Sequence, residues 1–129
     1  MDFRLLGVDA FERRQLCRNT AGCWQCGKVA QDFAAKALRS GEATISLRSD
    51  SSYGRPVATV TIDGQDLGER MIRHGLAIPE VQYLRGEPVR ARRYASAFAQ
   101  AKAARVGAFS GSWLELSRWR KGERLTCKR

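Results

Sequence analysis

Two alternating stretches constrain this chain most. Ile45 and Leu47 alternate with Thr44, Ser46 and Arg48, and Ala58, Val60 and Ile62 alternate with threonines. A period of two requires extended strands with one apolar face, so strands are expected over 44–48 and 57–62. Between them "SDSSYGRP" is a polar turn with Gly54 at its tip. Elsewhere the period changes. Val29, Ala30, Phe33, Ala34, Ala37 and Leu38 recur at helical spacing, predicting a helix over 25–39 that Ser40-Gly41 closes. Leu67, Met71 and Ile72 mark a short helix over 65–74, stopped by Gly75, and Tyr94, Phe98, Ala101 and Ala104 share one face of a third helix over 88–106. Residues 3–8 read as a strand ending at a turn at Asp9, Gly22 to Gly27 reads as loop, and "AIPEVQYLRGEP" as a long loop of the kind that lines a site. The order is strand, helix, strand, strand, helix, helix, and three short strands rarely close a sheet.

At 129 residues the chain is long enough for one compact core. No run approaches the apolar length of a membrane span, so no membrane partner is expected. Lys and Arg total 23 against 13 Asp and Glu, a formal charge of +10. That balance attracts polyanions through counterion release, and it also serves solubility alone. Cys17, Cys23 and Cys26 fall close together and Cys127 stands near the end. A disulfide framework is one reading. Zinc is the other, since "CWQC" has ligand-like spacing, although there is no second CxxC and His74 is the only histidine.

"RLLGVDAFE" at residues 4–12, "YGRPVATV" at 53–60, "IRHGLA" at 72–77, then a tyrosine-bearing loop and an alanine-rich helix, resemble the thermonuclease family of staphylococcal-nuclease-like domains. The resemblance runs over nearly the whole chain, from Phe3 to about Trp119. It implies an α+β fold, an OB-type β-barrel with three α-helices, over residues 1–120, followed by a basic C-terminal tail at 121–129. It also implies calcium-dependent hydrolysis of DNA and RNA phosphodiesters, with single-stranded DNA or RNA as partner. Asp9 and the backbone carbonyl of Ala10 would be calcium ligands, Glu12 would activate the attacking water, and Arg4 and Arg55 would clamp the phosphate. Tyr53 and Tyr83 would contact the terminal phosphate or flank the nucleotide. Such chemistry needs a cation, a base and guanidinium groups at the crowded phosphorus. Each residue has a plainer reading: an Arg4–Glu12 salt bridge, a solvated loop cation at Arg55, packing tyrosines. "QLCRNTAGCWQCGKVA" resembles the exported bacterial branch, which supports a Cys17–Cys26 disulfide and a periplasmic or secreted location.

Two departures from the family pattern shape the expectation. Phe11 stands where the family usually has proline, so the turn presenting Glu12 should be looser. The family's first two strands, with an acidic turn carrying another metal-binding aspartate, would precede Met1, so the barrel is expected to be N-terminally truncated and its calcium site weakened. The edge at residues 3–8 would then seek a partner, with a second copy of the chain favoured over a folded-back segment 110–129. The alternative function is a catalytically impaired binding or accessory module for nucleic acid or for an acidic exopolysaccharide, since some relatives carry exopolysaccharide-biosynthesis labels.

Overall fold

The alternating stretches form the two long strands of the main sheet. The computed structural model describes residues 3–52 and 55–127. In chain order the elements are β1 (Arg4–Leu5), β2 (Val8–Ala10), β3 (Cys17–Asn19), β4 (Gly22–Trp24), α1 (Cys26–Arg39), β5 (Ala43–Ser52), β6 (Arg55–Ile62), β7 (Gln65–Asp66), α2 (Leu67–Arg73), β8 (Ala77–Pro79), α3 (Pro88–Ala104) and α4 (Leu116–Arg120). Single 3₁₀ turns lie at Val81–Tyr83 and Gly107–Ser110.

The main sheet runs β1-β6-β5, with β7 pairing on β6. β1 is parallel to β6, with Arg4 beside Val57, while β5 and β6 are antiparallel. Two small antiparallel pairs, β2 with β8 and β3 with β4, stand apart from it. Val60 and Ile62 of β6 are buried with Ala30 and Ala34 of α1, Leu67, Met71 and Ile72 of α2, and Tyr94 and Ala97 of α3. The core thins toward β5. Ile45 pairs with Val60 and Leu47 with Ala58, which puts both on the core face, yet they are 47% and 67% exposed.

Several expectations need correcting. Four α-helices are present among the described residues, not three, because residues 116–120, just ahead of the basic tail, form α4. The described strands number eight rather than three, and they form three separate sheets rather than a closed barrel. The strand expected over 3–8 is broken: Gly7 adopts φ +68° and divides β1 from β2, so Asp9 lies within a strand and not at its terminal turn. Part of the loop expected from Gly22 is β4, and the loop after Leu76 begins with β8, because each short segment finds an antiparallel partner for its backbone. Segment 110–127 does fold back, against Phe11, Gln15 and the β3–β4 hairpin.

Both ends of α2 are braced against α3. Asp66 caps α2 by accepting from the Glu69 amide, and its carboxylate also receives Tyr94 Oη–H and Arg90 Nη1. Burial and the Asp66 charge push the Tyr94 phenol well above its ordinary pKa. Glu69 accepts from Arg93 at 2.7 Å and from Arg73 at 3.1 Å. These hydrogen bonds, Arg93 first, outweigh desolvation and hold its carboxyl below the ordinary glutamate value. A depressed carboxyl pKa contributes stability above the unfolded-state value, lost as pH falls through the folded one. Glu69→Gln should therefore be less stable than wild type near neutrality and lose less stability between pH 6 and pH about 3, as read by urea unfolding at the two pH values.

Candidate active site and its internal occupant

Asp9 reaches the site because β2 pairs with β8, setting it opposite Ile78, and only 6% of it is exposed. Arg4, one strand earlier, directs Nη2 to Asp9 Oδ1 at 3.5 Å and to Glu80 Oε1 at 3.6 Å. Glu80 follows β8, and its amide donates to the Gly7 carbonyl at 2.8 Å. Burial and then the Asp9 charge raise the Glu80 carboxyl above its ordinary pKa, against the opposing pull of Arg4 and Arg120.

Glu12 is held by a turn whose hydrogen bonds converge on Gln15. The Gln15 amide donates to the Glu12 carbonyl at 2.8 Å, and Gln15 Oε1 accepts from the Glu12 amide at 3.2 Å. The first turn of α1 closes on the same backbone. Gly27 donates to the Gln15 carbonyl, and a Cβ on Gly27 would stand 1.6 Å from the Glu12 carbonyl oxygen. Phe11 is fully buried and meets Trp113 edge-on at 6.1 Å. The turn is therefore pinned, not loosened, at the position where proline was expected, because the aromatic ring anchors it in the core.

An open cleft of about 200 Å³ collects Arg4, Asp9, Ala10, Glu12 and Arg55 on its walls. Arg55 opens β6, and the parallel register that sets Arg4 beside Val57 puts it two residues upstream on the same strand face. Tyr83 does not line this cleft and is 54% exposed in the 3₁₀ turn after β8. Tyr53 lies outside the described residues.

A further wall residue comes from the C-terminal segment. Arg120, the last residue of α4, places Nη2 2.9 Å and Nη1 3.3 Å from the two oxygens of Asp9, and its Nη2 and Nε 3.2 and 3.3 Å from Glu12 Oε1. A fork-to-carboxylate pair of this kind is a strong charge-assisted contact. Burial works against the guanidinium's charge, but the hydrogen bonds and charge of Asp9, then of Glu12, outweigh it and raise its pKa. α4 is positioned by Leu116, fully buried, and by Gln15 Nε2, which donates to the Leu114 carbonyl at 2.8 Å.

The cysteines form two bridges, Cys17–Cys26 as expected and Cys23–Cys127. No described cysteine is free, which removes the zinc reading. Two disulfides fit an oxidising, extracytoplasmic environment. No described helix is long and apolar enough to cross a membrane.

A family model described as Staphylococcal nuclease homologue matches residues 2–110. The chain belongs to the staphylococcal nuclease homologue family. No curated protein matches it. Membership relates the chain to nucleases, while Arg120 lies beyond the matched residues. Calcium, the metal that the family resemblance implies, takes about six to eight oxygen ligands. Among the described residues no group of three or more His, Cys, Asp or Glu side chains is arranged for a metal, and Asp9 and Glu12 both direct oxygens at Arg120. In this arrangement the donor set does not fit that ion.

Arg120, Glu80 and Gln15 were missed from the sequence. Pairing Cys17 with Cys26 leaves Cys23 and Cys127 as a remaining pair, and that parity was the available sign that the tail returns to this hairpin. Because Asp9 repels the Glu80 carboxylate while Arg4 and Arg120 attract it, Asp9→Asn should lower the Glu80 pKa, measured by carboxyl-carbon NMR titration.

Proposed function

We propose that this chain is a polyanion-binding member of the nuclease family, acting on nucleic acid, whose hydrolytic centre is held inactive by its own arginine. The observation carrying this reading is the clasp of Arg120 on Asp9 and Glu12. A carboxylate engaged by a guanidinium is a poor base and a poor metal ligand, because proton or cation must displace a charge-assisted contact. The binding surface remains. Arg55 is exposed at the cleft mouth, Arg13 lines the same cleft, and the net charge is +10. Single-stranded DNA or RNA is the expected polymer, and an acidic exopolysaccharide is the competitor to test beside it. The oxidising environment fits a periplasmic or secreted location.

A second reading is favoured by one observation: Arg4, Asp9, Glu12 and Arg55 share a single cleft. In that reading Glu12 activates water, Arg4 and Arg55 clamp the phosphate, and Asp9 with the Ala10 carbonyl binds calcium. Incubation of the oxidised chain with single-stranded DNA, in calcium or in chelator, separates the two. The expected outcome is salt-sensitive binding without calcium-dependent cleavage, with Arg55→Ala weakening binding. Calcium-dependent cleavage that Glu12→Gln lowers by roughly 10²–10⁴ would establish the second reading in its place.

A further inference from the structure

β5 is an unprotected edge. It pairs with β6 on one side, and among the described residues no strand pairs with it on the other. Residues 42–48 are all exposed, and they include Ile45 and Leu47 of the apolar face. Native edges are blunted by a proline, an inward charge, a bulge or a very short strand. Over 43–47 the sequence ATISL holds no proline, glycine or charge, and its register on β6 is unbroken until the shift that follows Leu47. Free backbone donors and acceptors beside exposed apolar side chains form a template for another strand.

The edge is also held in shape. At its start the Glu42 amide donates to Asp63 Oδ1, and the Glu42 carbonyl accepts from the Asp63 amide, both at 3.0 Å. At its end Arg48 Nη2 lies 3.2 Å from Glu87 Oε1, just ahead of α3. A strand ordered in advance loses little freedom when it pairs. A guanidinium carries five donors, and with 40% of its side chain exposed Arg48 has room for a second carboxylate.

The run from Glu42 to Arg48, EATISLR, is its own complement. Consider two copies paired antiparallel about a two-fold axis at Ile45, perpendicular to the sheet. Ile45 then meets Ile45 of the second copy, Ala43 meets Leu47, Thr44 meets Ser46 and Glu42 meets Arg48, each of the last three twice. Residues 43, 45 and 47 share one face of a strand, so the apolar stripe runs unbroken from one copy into the other. Thr44 and Ser46 meet on the opposite face, and hydroxyl pairs and opposite charges are favourable cross-strand neighbours. Moving the axis by one residue in either direction separates Glu42 from Arg48.

We propose that β5 is a self-association edge, through which two copies of this chain join their main sheets into one. A second copy is the occupant because the run matches itself in charge and in side-chain class, which an unrelated strand need not do. The contact closes at two, since each copy gives its β5 edge to the other. One strand per partner is smaller than the roughly 800 Å² per partner of a standard interface, so the dimer is in reversible exchange with monomer.

The test is sedimentation velocity of the full oxidised chain from about 1 µM to about 1 mM, with Leu47→Lys and Glu42→Arg beside it. Both positions are exposed, so urea unfolding at low concentration should find both variants as stable as wild type. Wild type should pass from monomer to dimer over the series. Leu47→Lys places a charge on the edge, and Glu42→Arg sets arginines against arginines; each should weaken the dimer about tenfold. Register is read by cross-linking. Ile45→Cys should oxidise to a covalent dimer, because the two positions face each other at the axis, whereas two copies of Leu47→Cys lie about 13 Å apart along the strands and should not. Mass analysis verifies that both native bridges stay intact. A chain that is monomeric throughout overturns the proposal, as does a dimer indifferent to Leu47→Lys, which would form through another surface. Assemblies that grow beyond two overturn the closed pair. A dimer indifferent to Glu42→Arg, or one in which Leu47→Cys cross-links as fast as Ile45→Cys, overturns the register.

Discussion

One buried amide holds the site together. Gln15 is completely enclosed, and an enclosed primary amide is costly unless its groups are paired. Its oxygen takes the Glu12 amide, its nitrogen gives to the Leu114 carbonyl, its backbone amide gives to the Glu12 carbonyl, and its own carbonyl takes Gly27. Four segments meet there: the turn carrying Glu12, the start of α1, the tail, and, through Cys17 and Cys26 on either side, the β3–β4 hairpin. Exchanging Gln15 for an apolar residue of similar size would leave the Leu114 carbonyl and the Glu12 amide without these partners. The position of Arg120 would go with them, since Leu114 leads directly into α4.

This scaffold explains why the charge cluster is tolerable. Asp9, Glu12 and Glu80 gather around Arg4 and Arg120, and a charge as buried as Asp9 costs more in desolvation than an ion pair returns unless it has several partners. Arg120 meets that condition by bonding both Asp9 and Glu12 at once. Glu80 meets it least, with Arg4 at 3.6 Å and the Asp9 charge nearby, and its carboxyl is the one pushed toward the protonated form. The site is therefore built to accept a positive group between Asp9 and Glu12. In the oxidised chain that group is supplied from within.

The sequence made the secondary structure legible where period and burial agree. The helices beginning at Cys26 and Pro88 emerged close to their expected limits because their apolar stripes meet a core. The short pairs β2–β8 and β3–β4 were not legible, since three-residue strands carry no period, and the partner that β2 needs lies far along the chain. Residues 4–12 marked the carboxylates and Arg4 through a resemblance. Arg120 escaped because an arginine in a basic tail reads as a solvated cation. Its role comes from a long-range contact that nothing local encodes, reached through Leu116 and a cysteine at the far end. Ile45 and Leu47 show the converse. Their alternation predicted a strand with an apolar face, and the strand is there, but its apolar face is largely uncovered.

That uncovered face bears on why covalent bonds appear where they do. The main sheet ends at β5 and apolar burial falls off on that side, while the buried core lies with α1, α2 and α3 and the β2–β8 pair. The β3–β4 hairpin and the chain after α4 project from that centre with few apolar residues of their own. For such segments a disulfide supplies the order that packing cannot. Cys17–Cys26 fixes the hairpin base against α1 inside the core. Cys23–Cys127 fixes the tail to the hairpin tip outside it. The second bond therefore does little for the core directly: beside the hydrogen bond from Arg18 Nη1 to the Thr126 carbonyl it holds the chain after α4, whereas α4 itself is seated by buried Leu116 and by Arg120 on Asp9 and Glu12. The charge of Asp9 is thus met from two sides by different means: Arg4 is placed by a strand pairing to β6, and Arg120 by one helical turn packed through Leu116.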